Sequence, residues 1–128
     1  MAARLQANRR AHGAEGERTA ERALVAAGLT PLTRNAGYRL GELDLVMRDG
    51  DTIVFVEVRR RRSDAFGDAA SSVDRNKRRR LVHAAQLFLA RHPALAQAPC
   101  RFDVVGLDGP ADAATVDWIR NAFTLDDL

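Results

Sequence analysis

Apolar residues recur at helical spacing in EGERTAERALVAAG, where Ala20, Leu24 and Ala27 share a face and Gly28 supplies a stop. TPLTRNAGYRL leads on into GELDLVM, where the period shortens to two. Leu43, Leu45 and Met47 fall on one side of a strand, and Glu42, Asp44 and Val46 on the other. After the turn signal RDGD, TIVFVEVR sets Ile53, Phe55, Glu57 and Arg59 against Val54, Val56 and Val58. Two such strands joined through Asp-Gly predict an antiparallel hairpin. RRSDAFGDAASSVDRN has no period and reads as a loop over the sheet edge. Helical spacing returns in RNKRRRLVHAAQLFLARH, with Asp74 as N-cap, Leu81, Ala84, Ala85, Phe88 and Leu89 as the apolar face, and Pro93 ending it. CRFDVVGLD predicts a third strand and ATVDWIRNAF a fourth short extended segment.

Helix, two strands, loop, helix, two strands is the order of an α/β layer architecture, with helices packed on a mixed sheet. A parallel pairing of the third strand with the hairpin needs the second helix as its crossover. A chain of 128 residues holds one core. The expected division is a frayed arm over residues 1–12, a single domain over 13–123, and an acidic tail over 124–128.

Charge changes this picture more than composition does. The net charge is only +3, but Arg59 to Arg80 holds nine Lys or Arg against three Asp, whereas Asp103 to Leu128 holds six Asp and one Arg. A basic middle of that density suits a phosphate backbone, although a charge run is more often a solvated helix face. Its basic residues crowd the first turns of the second helix, against the helix dipole, which favours a binding role over decoration. No apolar run approaches membrane-spanning length, so a cytoplasmic protein is expected. Cys100 is the lone cysteine, and no zinc-like spacing surrounds it or the three histidines.

The hairpin holds the chemistry. With Asp49-Gly50 as the loop, or Arg48 to Asp51, Asp44 faces Phe55 and lies one diagonal step from Glu57; with Gly50-Asp51, Asp44 is directly opposite Glu57. Two acids beside an apolar layer need cations or a metal. Clustered carboxylates with a backbone carbonyl, for which Val58 is the natural candidate, suit Mg²⁺ or Mn²⁺. From spacing alone, ion pairs from Arg59 or Arg60 to these acids are the commoner outcome.

GELDLVMRDGDTIVFVEVRRRRSDAFGD resembles the PD-(D/E)XK nuclease core as found in Holliday-junction resolvase-like proteins, and most closely the YraN-like family of uncharacterised bacterial proteins. GERTAERALVAAG, RNAGYRLGELDLV, the basic helix, RFDVVGL and DWIRNAF extend the likeness from Gly13 to Phe123. The resemblance implies a restriction-endonuclease-like core, a mixed four-stranded sheet flanked by helices, acting on nucleic acid, most simply branched DNA. It implies Asp44 and Glu57 as ligands of Mg²⁺ or Mn²⁺ and Glu17 as a third acid near the metal. The residue two after Glu57 is a lysine in the family pattern and Arg59 here. Arginine brings a planar fork where lysine brings a compact ammonium, so Arg59 suits phosphate binding better than positioning of a water. Either a nuclease or a nucleic-acid-binding module with a weakened site follows. In both, Arg60, Arg61 and Arg62 with Lys77, Arg78, Arg79 and Arg80 hold the backbone. The fold analogy further implies a homodimer, with no dimer surface identifiable.

Other chemistry finds little footing. Ser63, Ser71 and Ser72 lack a triad setting, His83 reads as a packed histidine, and seven aromatic residues are few for a base-stacking platform.

Overall fold

The computed structural model describes residues 2–39, 41–60, 73–110 and 113–124, with side chains from residue 13 onward. Five strands, β1 (Thr30–Tyr38), β2 (Gly41–Asp49), β3 (Thr52–Arg60), β4 (Cys100–Asp108) and β5 (Thr115–Phe123), form one sheet in chain order. The pairings are antiparallel except β3 with β4, which is parallel. The helix α2 (Arg75–Ala90) supplies the crossover between those two strands, as expected.

Alternation along β3 builds a core on each face. Ile53 and Phe55 pack beneath α2 with Leu81, Ala84, Ala85 and Phe88. Val54 and Val56 pack beneath α1 (Ala2–Ala26) with Ala20 and Leu24. On the α2 side Phe55 meets Phe88 edge-on at 5.9 Å and stacks on Phe102 at 5.4 Å. Full burial of each such side chain contributes about 1.5–3 kcal/mol.

Three expectations are corrected. The sheet has five strands, not four: TPLTRNAGY is β1. As an edge strand it is largely exposed and carries no apolar alternation, and Pro31 falls at a register shift. Its tie to α1 is tertiary, a bidentate pair of Arg34 with the buried Glu21. The first helix begins at Ala2, ahead of the Gly13 that periodicity marks, so the backbone of the expected arm is helical. Ala, Arg, Leu and Gln in that segment are strong helix formers without needing an apolar face. Finally, Leu43 does not share its environment with Leu45 and Met47. It packs with Val46 beneath α2, whereas Leu45 and Met47 lie beneath α1, so strict alternation breaks at Asp44.

The punctuation is local and matches the sequence. Gly28 takes a φ of 106° after α1 and Gly50 a φ of 59° in the hairpin turn. Asp74 caps α2, accepting from Lys77 N at 2.8 Å. The loop expected over the sheet edge lies, from residue 61 to residue 72, outside the described residues.

Candidate active site

Pairing of β2 with β3 runs from Asp49↔Thr52 to Leu45↔Val56, leaving Gly50-Asp51 as the connection. Of the open registers, this is the one that counts Asp44 directly opposite Glu57. Past Leu45 the ladder gives way, and Asp44 Oδ2 instead accepts a hydrogen bond of 2.9 Å from Val58 N. An acid thus occupies the point where the two strands part.

Glu57 sits on the other side of that break and is only 4% exposed. Its Oε1 lies 3.5 Å from Arg59 Nη1 and 3.6 Å from Lys77 Nζ, both beyond direct hydrogen bonding. No donor reaches its buried Oε2, and its remaining hydrogen-bonding contact is with the Asp44 carboxyl, which forms only when one of the two acids holds a proton. Burial first, and the Asp44 charge second, push the Glu57 carboxyl from 4.5 up to about 8, against the partial offset of Lys77 and Arg59. Glu17, from α1, is pushed up to about 7 by burial and then by Asp44, with a hydrogen bond to Asn35 opposing the rise. Glu17, Asp44 and Glu57 line one cavity of about 400 Å³ together with Gly16, Val58, Arg60 and Leu107.

The carboxylates therefore converge, though not as a finished cage. Among the described residues no three His, Cys, Asp or Glu side chains are close enough to form a metal-binding group. The donor chemistry nevertheless fits a hard divalent cation. Burial, and then the Asp44 charge, raises both Glu17 and Glu57 above the usual carboxylate range, and no donor reaches the buried Glu57 Oε2. Asp103 provides the contrast on the same sheet. It is 1% exposed, yet it accepts from Arg101 Nε, Trp118 Nε1 at 2.9 Å and Asn121 N at 2.9 Å. That acid braces β4 against β5, and Glu57 has no comparable set of donors.

The basic residues divide by position. Arg59 faces Glu57, and Arg60 donates to the Gly109 carbonyl at 2.9 Å while lining the cavity. Arg61 and Arg62 lie outside the described residues. Lys77 turns in toward Glu57. Arg78 donates to the Val73 carbonyl and sits 5.3 Å from the centre of the Phe123 ring. Arg79 and Arg80 are exposed, and Arg80 lines an open cleft with Tyr38, Arg39, Glu42 and Lys77. Glu42 is exposed beside that cleft, and its charge also raises Glu17.

Sequence reasoning missed two contributors. Lys77 reads as one of a basic run, with nothing to tie it to Glu57, 20 positions earlier in the sequence. Gly41 reads as a strand start, but a Cβ there would sit 2.6 Å from the Arg80 carbonyl oxygen, so only glycine lets α2 lie this close to β2. Asn35, at φ 52°, could have been flagged as a residue tolerant of the left-handed region.

Fold and cavity together define an α/β protein with a mixed five-stranded sheet, two helices and a carboxylate-lined cavity where a hairpin parts. The chain belongs to Uncharacterised protein family UPF0102, whose profile matches residues 16–107 and so includes Glu17, Asp44 and Glu57 of the cavity. It is 57% identical over 123 residues to a UPF0102 protein of Xanthomonas oryzae pv. oryzae (strain PXO99A), covering 96% of this chain and 99% of the relative. A UPF0102 protein of Xanthomonas campestris pv. campestris (strain B100) is 58% identical over the same shares. One from Xylella fastidiosa (strain M12) is 58% identical over 120 residues, 94% of this chain and 98% of its own. The expected kinship with a family of uncharacterised bacterial proteins is thus shown. Among the described residues no helix is long and apolar enough to cross a membrane.

Proposed function

We propose that this chain is a metal-dependent nuclease-type domain that hydrolyses phosphodiesters in nucleic acid, DNA being the expected substrate and branched DNA its expected form. The observation that carries the reading is the Glu57 carboxyl, buried against a second carboxyl with no donor to Oε2, at a cavity it shares with Asp44 and Glu17. A structural acid would be satisfied, as Asp103 is. The mixed sheet, the parallel crossover and the acid at the parting of the hairpin are compatible with a restriction-endonuclease-like core.

In this reading Asp44 and Glu57 hold Mg²⁺ or Mn²⁺, with Val58 beside them and Glu17 as the third acid. Bound there, the ion supplies a water of lowered pKa. A dication held there would offset the Asp44 charge that, after burial, favours the protonated form of Glu57 and Glu17. Asp44 is fixed for this role by Val58 N, so little side-chain freedom is lost on binding. Arg59 stabilises charge on the phosphate, and Arg60 with Arg79 and Arg80 holds the backbone. Two copies acting as a homodimer remain part of the proposal, by fold analogy.

A second reading rests on Arg59. Its guanidinium stands where a lysine completes the nuclease pattern, which favours a cytoplasmic nucleic-acid-binding module with a silent site. Cleavage of linear and four-way-junction DNA, with Mg²⁺ and with Mn²⁺, separates the two. Metal-dependent cutting that Asp44→Asn and Glu57→Gln abolish supports the nuclease. Salt-dependent binding without cutting by the wild type overturns it in favour of the module. Absence of binding at low ionic strength overturns both.

A further inference from the structure

The strand position where a lysine is expected holds arginine, but Glu57 does not lack an ammonium beside it, supplied from the cleft that adjoins the cavity. Lys77 Nζ reaches Glu57 Oε1 from α2, at 3.6 Å, and Arg59 Nη1 reaches the same oxygen from β3, at 3.5 Å. Two elements deliver a cation to one carboxylate oxygen. The two cations are not equivalent, since a compact ammonium has three donors it can rotate onto a water and a phosphate oxygen, whereas the guanidinium fork is planar and fixed.

The backbone beneath Lys77 is held for such a task. Its own N–H bonds the Asp74 side chain at 2.8 Å, and Arg78 N bonds the Asp74 carbonyl at 2.9 Å. Arg78 Nε anchors the turn to Val73 at 2.8 Å. One turn further on, the absence of a Cβ at Gly41 lets the Arg80 backbone settle on β2, bringing the start of α2 down to the level of Glu57. Beyond the Asp74 cap the first turn holds no acid, and it is the positive end of the helix dipole, which disfavours a cation there. Lys77 is therefore placed against local electrostatics and beside a buried acid of another element.

We infer that Lys77 is the active-site amine of this domain, delivered from α2 instead of from the strand, with Gly41 as the positioning residue that permits the approach. This rests on the nuclease reading above. In the step it serves, the water oxygen forms a bond to phosphorus, the bond from phosphorus to the leaving oxygen breaks, and the displaced and acquired protons exchange with solvent. Lys77 donates hydrogen bonds throughout and transfers no proton of its own.

The test uses the full chain as wild type, Lys77→Gln, Lys77→Arg and the double variant Lys77→Gln/Arg59→Lys. Cleavage of junction and linear DNA at saturating Mn²⁺ is read beside calorimetric Mn²⁺ binding without DNA and a thermal melt. Lys77→Gln is expected to lower the cleavage rate about 100-fold, the loss typical of a single preorganised donor. Its Mn²⁺ affinity stays equal or rises, since a cation beside the ligands has been removed. Lys77→Arg keeps the charge and remains well below wild type. Arg59→Lys restores cutting to the glutamine variant by returning an ammonium to the same oxygen from β3. Cleavage by Lys77→Gln at the wild-type rate, full activity of Lys77→Arg, or no rescue in the double variant overturns the assignment while leaving the nuclease reading intact. Parallel loss of Mn²⁺ binding and of the melt in both single variants would make Lys77 a structural ion pair, and also overturns it. A wild type that binds Mn²⁺ and cuts nothing fails the nuclease reading itself, and the assignment falls with it.

Discussion

Replacing Glu57 by glutamine should stabilise the metal-free protein, and only above a particular pH. Well below pH 4.5, folded and unfolded chains both hold the Glu57 proton, and the acid costs nothing. As pH rises, the unfolded chain releases its proton first, while burial and Asp44 keep the folded carboxyl protonated up to about pH 8. Stability therefore falls through that window, and the loss is complete above it. At about 1.4 kcal/mol per pH unit, the cost accumulated from 4.5 to pH 7 is about 3 kcal/mol. Glutamine has the same shape and cannot ionise. It forfeits the ion pairs with Arg59 and Lys77, whose side chains are 35% and 29% exposed, pairs worth less than about 1 kcal/mol in such settings. The net gain expected at pH 7 is about 2 kcal/mol, or about 8 °C in Tm for a chain of 128 residues. Urea unfolding in EDTA from pH 4.5 to pH 8.5 measures it. Adding about 10 mM Mg²⁺ at pH 8 should return about 1.4 kcal/mol to the wild type, for a Kd of about 1 mM, and nothing to the variant. A variant less stable than wild type by the same amount at both ends of the pH range would refute the reasoning, because Glu57 would then be ionised and usefully paired in the folded protein.

Three further outcomes are expected. Glu17→Gln flattens the same profile between 4.5 and about pH 7, by a smaller amount of about 1 kcal/mol, since this acid is less buried; urea titration at both ends of that range checks it. Asp103→Asn keeps one acceptor oxygen but turns an NH2 donor against the donors of Arg101, Trp118 and Asn121 and removes the charge that Arg101 pairs with, and should cost about 3–5 kcal/mol at pH 7, read from the shift in urea midpoint. Gly41→Ala places a methyl 2.6 Å from the Arg80 carbonyl oxygen and should cost about 1–3 kcal/mol in the same assay, as overpacking against backbone does.

Much of the site was legible in one dimension. Asp44 and Glu57 stand out because each interrupts an apolar strand, and every even-length loop between them puts both on one face. Which even loop forms was not legible. Both Asp49-Gly50 and Gly50-Asp51 carry turn-forming residues, and the choice follows from the two cores that close above and below β3. β1 was missed for a related reason. Edge strands satisfy only one side of their backbone from the sheet and need no apolar alternation, so Thr30 to Tyr38 carries little of the pattern by which strands are recognised.

By itself, then, the sequence determined what depends on neighbours within about a turn or a strand: the periods of two and of three to four, the Asp74 cap, the stops at Gly28 and Pro93, and the presence of acids where apolar residues belong. Tertiary structure alone decided which acid is met by donors and which cation answers the other. Glu57 and Asp103 are both acids in apolar strands. One is satisfied by Arg101, Trp118 and Asn121, and the other is left with two distant cations and a bare oxygen. That difference comes from contacts between elements far apart in the chain, brought together by hydrophobic burial that is blind to the chemistry it encloses. The same VFVEVRRRRS run reads as acid and base side by side, and only the packing of α2 onto β2 adds Lys77 to it.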